Sequence, residues 1–147
     1  ITCTDQNTMV IHAPDRPVNL PYVETEVYPG FPTDLQSLLL VAACIAEGEL
    51  VLRERIFSGR FKIIEELLRM GAVIRQENDR AIIEGGHPLE GRNVIARELR
   101  GGAALLTAGL AANGITTVTD TMYIRRGYED IIGDLTALGA VIAEYSP

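Results

Sequence analysis

The chain repeats itself, and that limits its folding options more than any other feature. Ala46, Gly48, Ile56 and Arg60 match Ala112, Gly114, Met122 and Arg126, each pair 66 positions apart. An apolar helical run precedes each copy. An amphipathic run follows each one and ends in Gly-Ala-Val-Ile, at Gly71–Ile74 and at Gly139–Ile142. These endings stand 68 apart, so the second copy gains two residues in its second helical region. Such a chain folds as successive copies of one supersecondary unit.

Local patterns give the unit its order. In the first copy, a short strand near Tyr22–Val27 leads to a buried helix over Asp34–Glu47, stopped at Gly48. A strand over Glu49–Arg55 follows. A helix over Arg60–Met70 then places Phe61, Ile64, Leu67 and Leu68 on one face. Strands Ala72–Arg75 and Arg80–Glu84 flank a polar turn at Glu77–Asp79. The second copy reads as strand Asn93–Ala96, helix Leu99–Ala112, strand Ile115–Thr119, helix Gly127–Leu138 and strand Val141–Tyr145. The unit is βαβαββ. Ile1–Ile11 is similar to the hairpin Ile74–Glu84, so residues 1–14 are expected to close a preceding unit. Residues 20–86 form a first full unit and 90–147 a second without its last strand. The expectation is a fragment of one larger domain.

Charge and cysteine content remove several functions. Thirteen Lys and Arg against 20 Asp and Glu give a net charge of −7. That balance argues against a nucleic-acid partner, since phosphate neutralisation needs clustered cations. Cys3 and Cys44 are too few for a disulfide framework or a four-ligand zinc site. No metal or cofactor is expected, and a reducing, cytoplasmic setting is the default. The longest apolar run, Leu38–Ala46, is nine residues, against about 20 for a membrane span. No leader is read at the start and no membrane association is expected.

Two features carry chemistry. In Phe31-Pro-Thr-Asp-Leu-Gln36, Thr33 is placed as an N-cap, with Gln36 completing a capping box. Asp34 then falls in the first helical turn, either as a plain first-turn acid or as a functional one. Arg60, Arg100 and Arg126 are read at helix starts, the unfavourable end for a cation. Arginines beside free N–H groups suit an anion site for carboxylate or phosphate. The alternative is surface pairing with Glu98, Glu129 or Asp130. Gly85-Gly86 and Gly101-Gly102 lack dinucleotide-binding spacing, and the latter pair suits close helix packing. His12 and His87 have no partner at metal spacing. Cys44 reads as a buried, inert thiol.

The segments Tyr28–Gln36, Gly59-Arg-Phe61, Leu67–Ala72, Leu99-Arg100 and Arg126-Gly-Tyr-Glu-Asp130 resemble the UDP-N-acetylglucosamine 1-carboxyvinyltransferases, a family of bacterial enolpyruvyl transferases. The order and spacing hold from Tyr28 to the C-terminus. The resemblance implies an α+β inverse α/β prism, built from βαβαββ units around a pseudo-threefold axis. This chain would hold two units and part of a third. It implies transfer of enolpyruvate from phosphoenolpyruvate to the 3′-hydroxyl of UDP-N-acetylglucosamine, the first committed step of peptidoglycan synthesis. Asp34 is similar to the residue that binds that hydroxyl and takes its proton. Ile56 and Phe57 correspond to the stretch lining the nucleotide-sugar site, and Arg126 to a phosphoenolpyruvate-binding arginine. Arg60, Glu98 and Arg100 correspond to charged residues facing an interdomain cleft.

The chain also departs from the family. Glu98-Leu-Arg100 stands where Asp-Leu-Arg is usual, and Tyr123-Ile-Arg-Arg-Gly127 where His-Ile-Asp-Arg-Gly is usual. Arg125 thus adds positive charge beside Arg126. The family's phosphoenolpyruvate lysine, further substrate arginines and mobile-loop cysteine belong to regions outside this sequence. Neither Cys3 nor Cys44 has that cysteine's context. The chain alone is therefore expected to be inert, with the remainder of its own polypeptide as partner. Two other readings stand beside this one: a 5-enolpyruvylshikimate-3-phosphate synthase-like enzyme, and a non-catalytic binding or scaffold module of the same fold. The repeat further predicts that Asp34, Arg60 and Arg126 open at one end of the structure.

Overall fold

A computed structural model describes residues 1–145. A small antiparallel hairpin comes first, β1 (Thr2–Cys3) with β2 (Met9–Val10). The first repeat follows as β3 (Tyr22–Glu24), a 3₁₀ turn at Thr33–Leu35, α1 (Gln36–Ile45) and β4 (Glu49–Arg53). It continues with a 3₁₀ segment at Arg60–Ile63, α2 (Ile64–Arg69), β5 (Val73–Glu77) and β6 (Arg80–Glu84). The second repeat holds β7 (Asn93–Ile95), α3 (Leu99–Ala111), β8 (Thr117–Thr119), α4 (Met122–Arg125) and α5 (Ile131–Ala137).

The first sheet has the order β3-β4-β6-β5. β3 and β4 run parallel, with Val23 opposite Leu52, while β6 is antiparallel to both β4 and β5. Alternation along β4 buries Leu50 and Leu52 and turns Glu49 outward, as a sheet with one covered face requires. β7 and β8 repeat the parallel pair, with Val94 opposite Val118. Gly48 and Gly114 adopt φ of +93° and +88°, the left-handed turn that lets each buried helix reverse into its strand.

α1 and α3 pack against one another over a single core. Leu40, Leu52, Leu67, Met70, Ile83 and Leu105 are fully buried there. Small residues bring α3 close to its neighbours. A Cβ on Gly102 would lie 2.8 Å from Ile124 Cγ1 and 2.9 Å from Ala96 Cβ.

Several sequence expectations shift. The helix read from Asp34 is a 3₁₀ turn before an α-helix that begins at Gln36. The capping box does not form, because Pro32 is the N-cap and Thr33 already lies inside the turn. The Thr33 hydroxyl donates instead to Glu54, and Gln36 is buried with its oxygen accepting from Ser37. The helix read over Arg60–Met70 also opens as a 3₁₀ segment, kinked at Phe61. That change of phase buries Ile63 and leaves Leu68 exposed. Of the helix read over Gly127–Leu138 only α5 forms, with the Asp130 carboxylate capping it by accepting from the Gly133 amide at 2.9 Å, and the short α4 before it, over Met122–Arg125, lies outside the expected helix. Val141–Tyr145 forms no strand and Val141 is fully exposed. Among the described residues no neighbouring strand receives its backbone, and an unpaired segment gains nothing by extending.

Candidate functional site

The site forms where the loop after β4 meets the starts of α1 and α3. The 3₁₀ turn puts Asp34 at the mouth of α1, with a carboxylate that is 59% exposed. Arg60 opens the 3₁₀ segment before α2, and Arg100 lies in the first turn of α3. Both guanidinium groups converge on one oxygen. Arg100 Nε lies 2.5 Å and Arg60 Nη2 3.4 Å from Asp34 Oδ1. The hydrogen bond from Arg100, aided by the charges of both arginines, holds the Asp34 carboxyl below the usual aspartate range against a partial desolvation.

Arg60 has a second contact. Its guanidinium carbon sits 4.8 Å from the centre of the Phe57 ring, within cation–π range. Phe57 and Ile56 belong to the Glu54–Gly59 loop, which borders an open cavity of about 460 Å³ closed on another side by the β5–β6 turn. The loop is shaped by Glu54, whose side chain points inward. Its Oε1 accepts from the Thr25 hydroxyl (2.8 Å), the Ile56 amide (2.8 Å) and the Phe57 amide (3.0 Å). Its Oε2 accepts from the Thr33 hydroxyl at 2.9 Å. Burial opposes ionisation of Glu54, yet these donors hold its carboxyl below the usual glutamate range.

The site residues anticipated from sequence thus divide. Asp34, Arg60 and Arg100 come together, with Phe57 stacked on Arg60 and Ile56 beside it. Glu98 serves its own helix, accepting from the Arg100 amide at 2.9 Å and from the Gly101 amide as the N-cap of α3. Arg126 is not at a helix start. It follows α4 at its carboxyl end, where a cation is favoured, and is exposed. No hydrogen bond or ion pair joins Arg126 to Asp34, Arg60 or Arg100. Arg125 is paired with Glu144, so its charge is offset locally.

Sequence reasoning missed Glu54 and Thr25. The signal was parity. Leu50, Leu52 and Glu54 share one face of β4 and its extension, and Val23 and Thr25 share one face of β3 and its extension. An acid at an inward position calls for partners. Among the described residues no group of three or more His, Cys, Asp or Glu side chains could hold a metal. No helix among them is long and apolar enough to cross a membrane.

The profile of the family described as EPSP synthase (3-phosphoshikimate 1-carboxyvinyltransferase) matches residues 1–135. The chain belongs to this family of carboxyvinyltransferases. It is 50% identical over 127 residues to UDP-N-acetylglucosamine 1-carboxyvinyltransferase 2 of Symbiobacterium thermophilum, covering 86% of this chain and 30% of that protein. It is 43% identical over 141 residues to UDP-N-acetylglucosamine 1-carboxyvinyltransferase 1 of Clostridium perfringens, covering 95% of this chain and 33% of that one. Among solved structures, the enolpyruvyl transferase NikO from Streptomyces tendae superposes with a TM-score of 0.78 at 32% identity. It covers 90% of this chain and 30% of NikO. The α+β arrangement described above is therefore that of part of the enolpyruvyl transferase fold, and the chain spans about 30% of the length of these relatives.

Proposed function

We propose that the polypeptide carrying this chain transfers enolpyruvate from phosphoenolpyruvate to the 3′-hydroxyl of UDP-N-acetylglucosamine, in the cytoplasm, as a step of peptidoglycan synthesis. The observation that carries this reading is one carboxylate, Asp34, held by two arginines beside the Phe57 loop. The names of the relatives supply the acceptor and the carboxyvinyl group, and the sequence resemblance supplies phosphoenolpyruvate as donor. In the transfer the sugar oxygen bonds to the enolpyruvyl carbon, its proton leaves to a base, and the carbon–oxygen bond to phosphate breaks. Asp34 is the base. A proton acceptor works best with a pKa near the working pH, and Arg100 holds Asp34 well short of that. An anionic substrate that drew Arg100 onto itself would raise the basicity of Asp34 as it bound. The same arginines would then serve as the carboxylate or phosphate clamp. Arg126 is assigned to phosphoenolpyruvate on resemblance. This chain by itself, with only part of the cleft, is inert because such chemistry tolerates misplacement of about 1 Å poorly.

The test is turnover by the full-length protein, followed as phosphate release. Asp34→Asn is expected to lower kcat by about 10²–10⁴-fold, the usual range for a lost general base. Arg126→Ala is expected to raise the KM for phosphoenolpyruvate. The description of the matching family favours a second reading, with 3-phosphoshikimate as acceptor. Turnover with that acceptor and none with UDP-N-acetylglucosamine would decide for it.

A further inference from the structure

Glu54 lies where a strand places its core residues, and the residue is only 6% exposed. A carboxylate there is costly unless its oxygens are satisfied, and a leucine would suit the same face as Leu50 and Leu52. Four donors meet it instead, and they come from three separate segments. Thr25 follows β3, Thr33 immediately precedes Asp34, and Ile56 and Phe57 belong to the loop that carries the ring beneath Arg60. A second tie locks the same corner, as the Arg55 amide donates to the Thr25 hydroxyl at 2.9 Å. Asp34 and Phe57 both touch Arg60, so Glu54 fixes the backbone behind both of that arginine's contacts.

We propose that Glu54 is the positioning residue of the site, its carboxylate holding the Ile56–Phe57 loop and the Asp34 turn in one mutual geometry. The inference rests on the transferase reading for which substrate each half serves. Oε1 sets the loop, which faces the nucleotide sugar. Oε2, through Thr33, sets the turn that presents the base. The two effects are separable. Removing the acceptor altogether frees both halves. Removing only the Thr33 hydroxyl leaves the amide cradle intact and loosens the base alone.

The test uses the full-length protein with Glu54→Leu, Glu54→Gln and Thr33→Val. Two quantities are read: steady-state constants for each substrate, and amide hydrogen exchange in peptides spanning Glu54–Gly59. Loss of hydrogen bonds to a charged acceptor corresponds to about 10- to 100-fold. Glu54→Leu is expected to raise the KM for UDP-N-acetylglucosamine and speed loop exchange by that factor, and to lower kcat as the Asp34 turn loosens. Glu54→Gln, which keeps one oxygen toward the amides, recovers most of the first two. Thr33→Val lowers kcat with the KM for UDP-N-acetylglucosamine and the loop exchange near wild type. The proposal is overturned if loop exchange in Glu54→Leu equals wild type. It is equally overturned if Glu54→Leu lowers only the apparent kcat, in proportion to the folded fraction, with both KM values unchanged. Should Glu54→Leu not fold, Thr33→Val decides, and an unchanged kcat there overturns the proposal. If the wild-type protein turns over neither substrate, the transferase reading falls. The exchange of Glu54→Leu and Glu54→Gln then decides the positioning role without it.

Discussion

Replacing Arg60 probes whether the site is held together by a stacked cation or by a surface ion pair. The Arg60 side chain is 14% exposed, while its ionic partner Asp34 is 59% exposed. An ion pair with so open a partner contributes about 0.2–1 kcal/mol. The Phe57 face lies 4.8 Å away on a residue that stays 54% exposed, and contributes about 0.5–1 kcal/mol. The covered methylenes add about 0.8 kcal/mol for each one fully removed from water. Arg60→Ala should therefore destabilise the fold by about 2–3 kcal/mol, and Arg60→Met, which keeps the stem, by about 1–2 kcal/mol. A double-mutant cycle of Arg60→Met with Phe57→Ala isolates the stacking and should return a coupling of about 0.5–1 kcal/mol. Urea denaturation at low and high salt is the assay. Screening shortens from about 10 Å at 0.1 M to about 3 Å at 1 M, so the Asp34 share should fade while the Phe57 coupling persists. A coupling below about 0.3 kcal/mol, within the scatter of independent sites, would refute the stacking argument. So would a coupling that vanishes at 1 M salt.

Three further outcomes follow from individual contacts. Because the folded Glu54 carboxyl sits below its ordinary value, its contribution is complete above about pH 4.3 and is lost as pH falls through the folded value. Between pH 7 and pH 3 wild type should lose more of its urea midpoint than Glu54→Gln does, and equal losses would contradict this. Gly102→Val should cost about 1–3 kcal/mol by overpacking, because even a Cβ there meets Ile124 and Ala96 below 3 Å. A drop in Tm would register it. Cys3 is exposed, whereas burial pushes the Cys44 thiol up to about 12. A thiol reagent should therefore label one cysteine in the native chain and two in denaturant.

What the sequence disclosed, and what it withheld, follows from the range of the forces involved. The repeat exposed the unit because glycine conformation and apolar periodicity are local. Gly48 and Gly114 need the same left-handed turn, and Leu50 and Leu52 are buried by strand alternation alone. Helix starts were read less well, since they depend on what the first turn meets across space. Thr33 has the makings of a cap, but Glu54 lies within reach of its hydroxyl and takes the hydrogen bond. Arg126 matches Arg60 in register but not in setting, because the Asp130 cap starts α5 four residues later and leaves Arg126 at the end of α4. The same long-range logic explains the candidate site. Arg60 and Arg100 lie 26 and 66 residues from Asp34 along the chain, yet 3.4 and 2.5 Å from its carboxylate in space. Their residue types pointed to an anion site, but only the packing of α1 against α3 makes them one. Glu54 marks the boundary between the two kinds of knowledge. Strand parity alone sends an acid inward at that position, so the sequence shows that partners must exist. Which partners, and that they join the loop to the turn, is decided by the fold.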